Sequence, residues 1–462
     1  MNGSIFSRDP LGGHVALATS GTLSAVQDAE AANRSPSSAM RHLVVIGQGY
    51  VGLPLALRAA AAGYAVVGLD SDAEIVARLN RGLSHVDDVK DGQLRVGLAS
   101  GYSASIDASC IATADVVAVC VPTPLSPDGG PDLRAVEAAG STIGEHIKGG
   151  TLVVLESTTY PGTTEEVFAP LVLGSSFELG ADINIAFSPE RIDPGNKTYG
   201  VQNTPKVVGG LTPACTRAAR QFYSRFIDVV VEAKGAKEAE MTKLLENTFR
   251  HVNIALVNEM VRFSNDLGID LWNAIDCAAT KPFGYLPFRP GPGVGGHCIP
   301  VDPSYLSHRV RARLGYAFHM VELAEEINSA APLYVADRVW RALNDQRLAV
   351  NGATVLLVGV TYKADIADCR ETPAKPLAER LASWGANITY HDPLVPHWQP
   401  GSVLGSGTLT SVSDVYDAAA ASDIVVLLQP HAAYDLKRLA TASSLMFDTR
   451  AAVEKSDTVH RL

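Results

Sequence analysis

Gly47, Gly49 and Gly52 follow the short apolar run His42–Ile46 (HLVVI) in G-x-G-x-x-G spacing. No other feature limits the fold so tightly. A helical pattern from Leu53 to Ala62 comes next, then a second apolar run, Ala65 to Leu69, ending on Asp70. Strand, glycine turn, helix, strand and an acid about 20 residues on make the βαβ unit of a dinucleotide-binding domain. There the first glycine makes the turn, the second lets a pyrophosphate approach, and the third lets the helix pack on the strand. The helix N-terminus carries the phosphate charge. Asp70 is placed to bond ribose hydroxyls and to repel a 2'-phosphate, which favours NAD over NADP. FAD uses the same fingerprint, with a larger set of contacts that this chain does not display.

Further buried strands extend the unit. Val116–Val121 ends in Pro122-Thr123-Pro124, and Val153–Leu155 in Glu156-Ser157-Thr158-Thr159. Ile183–Phe187 ends in SPERIDPGN, Ser188 to Asn196. Strand C-termini line the ligand crevice of a parallel sheet, so Thr123, Glu156, Thr158, Glu190 and Arg191 are expected at its mouth. A surface salt bridge is the alternative for Glu190. The polar segment Ser84–Leu94 reads as a surface stretch near the cofactor or as a solvated helix start. A second α/β unit begins at Thr354–Val358, with strands at Asn387–Tyr390, Asp423–Leu428 and Leu445–Phe447. Its first turn, GVTYKADIADCRETP, lacks the glycine triplet. Tyr362, Lys363 and Arg370 there suit an anionic or nucleotide ligand, with solvated charge as the bland reading.

Between the two units the chain reads as helices. Gly235–Leu267 carries apolar residues over most of its circumference and is expected to be buried on most sides. Glu240, Lys243 and Asn247 nevertheless form one polar stripe at three- and four-residue spacing. Buried polar groups need partners, so the stripe suggests an oxyanion or water site, an internal network, or a dimer salt bridge. A second helix, Ala317–Leu343, follows, and the two predict a dimer at least. Pro282–Pro303 (PFGYLPFRPGPGVGGHCIPVDP) is too rich in Gly and Pro for helix or strand and is expected to be an ordered loop over a ligand. Cys298, after Gly295, Gly296 and His297, is a candidate nucleophile. An inert buried thiol is the alternative.

Length and charge bound the rest. A chain of 462 residues holds about three domains. After a disordered N-terminal extension over 1–39, these are expected as a dinucleotide-binding domain over 40–230, a central helical region over 231–344 and a second Rossmann-like domain over 345–462. The fold class is therefore α/β, with two doubly wound domains joined by a long-helix dimerisation region. A net charge of -11 with no basic run argues against a nucleic-acid binder. No apolar run reaches roughly 18 residues, so no membrane span is expected. The six cysteines form no CxxC pair and no cluster with zinc spacing. A metal is not expected, and a reduced, cytoplasmic protein is the simplest reading. Residues 1–39 lack the charged start and apolar core of a signal peptide.

Taken together, GQGYVGLP, VPTP, ESTTYPGTTEE, SPERIDPGN, the Glu240/Lys243/Asn247 helix, GGHCIPVDP and YKADIADCRETP resemble the nucleotide-sugar (UDP-sugar) 6-dehydrogenases, from Met40 to the end. The resemblance implies an NAD domain, a central dimerisation region and a C-terminal UDP-sugar domain. It also implies oxidation of the sugar C6 alcohol to the acid with two NAD, through a thioester on Cys298. By match, Lys243 and Asn247 stabilise oxyanions and position water. Asp302 tunes the thiol or moves a proton, Glu190 is a general acid/base, and Thr158 holds water. The implied cofactor contacts are Gly47, Gly49, Tyr50, Val51, Gly52, Asp70, Thr123, Glu156 and Arg370. The implied substrate contacts are Glu190, Arg191, Lys243, Asn247, Arg250, His251, Tyr285, Gly295, Tyr362 and Lys363. The UDP-glucose branch usually has Ser before the Cys and Lys before the Asp. Here stand His297 and Val301, as in the branch acting on N-acetylated amino sugars, most like UDP-N-acetylglucosamine 6-dehydrogenase. Ser304 departs from the aromatic residue common there. UDP-N-acetylmannosamine, UDP-glucose and a non-catalytic NAD- and nucleotide-binding scaffold are the alternatives.

Overall fold

The computed structural model describes residues 42–126, 130–193, 196, 198–296, 298–401 and 407–462. The expected N-terminal extension, His297 and the side chain of Cys298 lie outside the described residues.

Eight strands form the first sheet: β1 (His42–Ile46), β2 (Ala65–Leu69), β3 (Tyr102–Ser105), β4 (Val116–Val119), β5 (Leu152–Leu155), β6 (Asn184–Phe187), β7 (Lys206–Gly210) and β8 (Val230–Glu232). Their order is β3-β2-β1-β4-β5-β6-β7-β8, with only β6–β7 antiparallel. β4 (VVAV) and β5 (LVVL) are buried along their whole length. Such unbroken apolar strands are what a parallel sheet covered on both faces requires. The chain leaves β1 through helix α1 (Gly52–Ala61) and reaches β2 on one side, while β4 lies on the other. The crevice therefore opens at the ends of β1 and β4, the switch point of a doubly wound sheet. Helix α2 (Pro213–Tyr223) lies between β7 and β8 and sends Phe222 and Tyr223 into the core.

Helix α3 (Ala236–Asp266) has Gly235 as its N-cap and Leu267 as its C-cap, as the periodicity predicts. Its burial differs from the expectation. The buried face carries Glu240, Lys243, Asn247, His251 and Asn258, whereas Met241, Leu245, Phe249, Leu256 and Phe263 are exposed. The polar stripe faces inward because it has partners there, and the apolar stripe is left outward in the single chain. The expected all-loop stretch is also corrected, because helix α4 begins at Cys298 and runs to Leu314. Pro300 falls in its first turn, where a missing N–H has no helical partner. Pro303 costs one bond inside it. Helix α5 (His319–Asp345) packs on α3 and leads into the last sheet.

That sheet has β9 (Thr354–Val358), β10 (Asn387–His391), β13 (Ile424–Leu427), β14 (Met446–Asp448) and β15 (Val459–Arg461), all parallel, in the order β10-β9-β13-β14-β15. A two-stranded ribbon, β11 (His397–Trp398) and β12 (Leu409–Thr410), is appended. Helix α6 (Ala374–Ser383) covers one face, and a single apolar cluster runs from α3 and α5 into this domain. Among the described residues no helix is long and apolar enough to cross a membrane.

Candidate active site

The glycine turn has the geometry its spacing predicts. Gly47 adopts φ +88°, and a Cβ there would lie 2.6 Å from the Cys120 carbonyl oxygen. A Cβ on Gly52 would lie 1.9 Å from the Gly47 carbonyl oxygen. Around Gly49 nothing stands within 4 Å of that position, so the turn is open for a pyrophosphate. The Asp70 carboxylate shapes the turn by accepting the Gln48 N–H at 2.8 Å. Tyr50 is exposed and Val51 half-buried beside it. The Tyr50 hydroxyl lies 3.5 Å from Asp87, which brings the polar Ser84–Leu94 segment to the cradle. Open approach at Gly49 and an acid at the end of β2 fit an NAD molecule.

The other expected cofactor contacts divide. Thr123 is buried, and its carbonyl accepts the hydroxyl of Tyr305 from α4. Arg370 comes from the C-terminal domain and lies 5.5 Å from the Tyr50 ring centroid, paired with Asp368. Glu156 does not present its carboxylate to the crevice. Its Oε2 accepts from Lys206 Nζ at 2.6 Å, its Oε1 accepts from the Tyr223 hydroxyl, and the residue is 1% exposed. A carboxylate at a strand end can turn inward when a buried ammonium answers it. Lys206 was not singled out in the sequence, although a lysine opening the strand KVVGG was the available signal.

Lys243 and Asn247 lie one turn apart on the buried face of α3. Lys243 Nζ donates to the Glu190 carbonyl oxygen at 2.6 Å, and Asn247 Nδ2 donates to Asp302 Oδ2 at 2.5 Å. Asp302 is 1% exposed, and its other oxygen has no hydrogen-bond partner. Burial pushes its pKa up to about 7, against the pull of Lys243 and the Asn247 bond. Asp302 stands one turn along α4 from Cys298, whose backbone opens that helix. Thr158 is half-buried at the end of β5, and the neighbouring Thr159 hydroxyl is buried without a partner. Glu240 belongs elsewhere. Its carboxylate accepts from the N–H groups of Gly162 and Thr164 and from the Thr164 hydroxyl, latching the TYPGTT turn to α3.

The third wall comes from the C-terminal domain. A Cβ on Gly295 would lie 2.6 Å from Tyr362 Cβ and 2.7 Å from the Glu371 carbonyl oxygen. Gly296 donates its N–H to the Arg370 carbonyl at 2.9 Å. The glycine pair therefore allows close approach of the C-terminal domain's wall. Lys363 reaches back to Asp193 at 2.8 Å, and Arg191 pairs with Glu246 of α3. Arg250 is half-buried and Tyr285 exposed. His251, one turn beyond Asn247, is buried with its Nε2 3.5 Å from Glu325 Oε2, and burial lowers its pKa against the pull of that carboxylate. It lines a cavity of about 720 Å³ that reaches Pro300, Asn328, Cys369, Lys375 and Trp398.

Three family models match the chain. They are the NAD binding, central and UDP binding domains of the UDP-glucose/GDP-mannose dehydrogenase family, at residues 41–227, 237–330 and 356–455. The chain is 35% identical over 399 residues to UDP-N-acetyl-D-mannosamine dehydrogenase of Yersinia pestis, covering 84% of this chain and 93% of that one. It is 32% identical over 428 residues to UDP-N-acetyl-D-glucosamine 6-dehydrogenase of Pseudomonas aeruginosa, covering 91% and 99%. The solved structure of the UDP-D-ManNAc dehydrogenase of Pyrococcus horikoshii superposes with a TM-score of 0.82 at 28% identity, over 91% of this chain and 98% of that one.

Proposed function

Since the chain belongs to the UDP-glucose/GDP-mannose dehydrogenase family, we propose that it oxidises the C6 alcohol of a UDP-N-acetylhexosamine, UDP-N-acetylglucosamine first, to the uronic acid. The observation that carries this reading is the meeting of Lys243, Asn247 and Asp302 at the start of the helix that Cys298 opens. That point lies between a dinucleotide cradle and the C-terminal domain. We assign NAD binding to residues 40–230, the catalytic helices and dimer contact to 231–344, and the UDP-sugar to 345–462.

NAD supplies the chemistry of hydride acceptance, twice per sugar. The chain does the rest. A base takes the C6 hydroxyl proton as the first hydride leaves, giving an aldehyde. The Cys298 sulfur adds to it and the oxygen takes a proton, giving a thiohemiacetal. A helix N-terminus favours thiolate over thiol, which suits position 298. Loss of the second hydride and of the hydroxyl proton leaves a thioester. Water then adds, the C–S bond breaks, and the acid and the thiolate are released. In this scheme the Lys243 ammonium and the Asn247 amide are the donors to these oxyanions. Asp302, with its pKa raised to about 7, exchanges a proton near neutrality, as an acid/base group must. Glu190 serves the thioester steps, with Thr158 holding water.

The cavity past His251 and Asn328 has room for more of the substrate than its reacting carbon. His251, with its Nε2 3.5 Å from Glu325 Oε2, gives that cavity a polar wall suited to an acetamido group. The relatives divide between the C2 epimers, so initial rates of NADH formation are compared for UDP-N-acetylglucosamine, UDP-N-acetylmannosamine and UDP-glucose. An N-acetyl substrate is expected to exceed UDP-glucose in kcat/KM by at least ~10-fold, and His251→Ala to narrow that ratio. A higher rate with UDP-glucose overturns the N-acetyl reading. Full turnover by Cys298→Ser overturns the covalent one.

A further inference from the structure

One cluster of buried charges that this scheme leaves unused lies beside Glu190. Lys206 opens β7 and is 7% exposed. Its ammonium lies 2.6 Å from Glu156 Oε2, 3.9 Å from Glu190 Oε2 and 5.2 Å from the Tyr223 ring centroid. Glu156 in turn accepts the Tyr223 hydroxyl. The titratable groups facing Lys206 are thus Glu156 after β5, Glu190 after β6, Tyr223 from α2 and Cys120 after β4.

We propose that Lys206 is a positioning residue for Glu190: its ammonium, anchored from behind by Glu156 and Tyr223, steers the Glu190 carboxylate at the back of the catalytic cleft. The proposal rests on the reading of Glu190 as the acid/base of the thioester steps.

The geometry divides the labour between the two carboxylates. Glu156 holds the short contact and compensates the cost of burying an ammonium. Glu190 lies beyond hydrogen-bond distance from the same ammonium. Its Oε2 is therefore oriented by charge without a hydrogen bond from the ammonium, which leaves it able to take and return a proton. Its other oxygen accepts the Ile192 N–H, and its own carbonyl accepts Lys243 Nζ at 2.6 Å. One residue therefore joins the catalytic lysine of α3 to the buried ammonium of β7.

The test is the pH dependence of kcat for NADH formation, with NAD and UDP-N-acetylglucosamine, or UDP-N-acetylmannosamine if that is preferred. Removing a cation disfavours the ionised form of a neighbouring carboxylate, and removing an anion favours it. Lys206→Met is expected to move the acid limb to higher pH by about one unit, a tenfold loss of rate below it. Its KM for NAD should stay within about twofold, and Lys206→Arg should restore the limb. Glu156→Gln is expected to move the limb the other way. Limbs that move together, or not at all, overturn the proposal, because a merely structural loss has no reason to change sign. Should Lys206→Met fail to fold, Lys206→Met/Glu156→Gln against Glu156→Gln alone measures the same displacement without a lone buried charge. Glu190→Gln separates the two levels. If it keeps full kcat, the acid/base reading falls. If it abolishes the limb while the Lys206 and Glu156 variants leave the limb in place, only the role of Lys206 falls.

Discussion

Asp302 holds a buried carboxyl oxygen with no partner, against one donor, Asn247, on the other oxygen. Its pKa of about 7 stands above the ordinary 3.8. Between those values the folded chain binds more protons than the unfolded one, so this group makes stability fall as pH rises through that window. Asp302→Asn keeps an acceptor for Asn247 and cannot ionise. It is expected to melt above the wild type near pH 8 and level with it near pH 4, while kcat falls about 100-fold or more. Melting curves at the two pH values check the sign. A variant that gains nothing near pH 8 contradicts the buried, strained carboxyl. A similar tension marks the Thr159 hydroxyl, which is also buried without a hydrogen-bond partner.

Among elements, the contrast lies between what local pattern encodes and what distant partners supply. The turn at Gly47, the helix after it and the ends of α3 were legible because backbone sterics and 3.6-residue periodicity act over a few neighbours. The role of Glu240 was not. It shares a stripe with Lys243 and Asn247, yet its carboxylate serves the N–H groups of Gly162 and Thr164, 78 and 76 positions away in sequence. No spacing rule reaches that far. For the same reason the approach of Tyr362 to Gly295 was not legible. Lys206 passed as one more residue of a strand. The start of α4 at Cys298 was missed because Gly and Pro mask a helix whose first turn needs no Pro N–H. Glu240→Ala leaves two buried N–H groups without acceptors and should cost about 3 kcal/mol. Its urea midpoint is expected to drop further than that of Glu240→Gln, which keeps one acceptor. Equal midpoints would mean that the latch carries no weight.

Across the whole molecule, the three units close on one cleft. Lys363 bonds Asp193, Arg370 covers Tyr50, and the Gly295-Gly296 backbone lies against Tyr362. The C-terminal domain thereby touches both the dinucleotide fold and the helix that starts at Cys298. On the outside of α3, Met241, Leu245, Phe249, Leu256 and Phe263 repeat at four- and seven-residue steps. That stripe runs for about 33 Å of helix. A contiguous apolar stripe of that length fits a partner helix, and we expect a dimer across α3. Sedimentation at micromolar concentration should give twice the chain mass, and Leu245→Asp/Leu256→Asp should give the chain mass. A wild type that sediments as a monomer removes the assignment. The central claim is that one cleft carries out both oxidations on a sugar held at Cys298. The total NADH formed from a limiting amount of the preferred nucleotide sugar tests it most directly. Two NADH per sugar, with the uronic acid as sole product, is the predicted result. One NADH per sugar, with free aldehyde in solution, would contradict it.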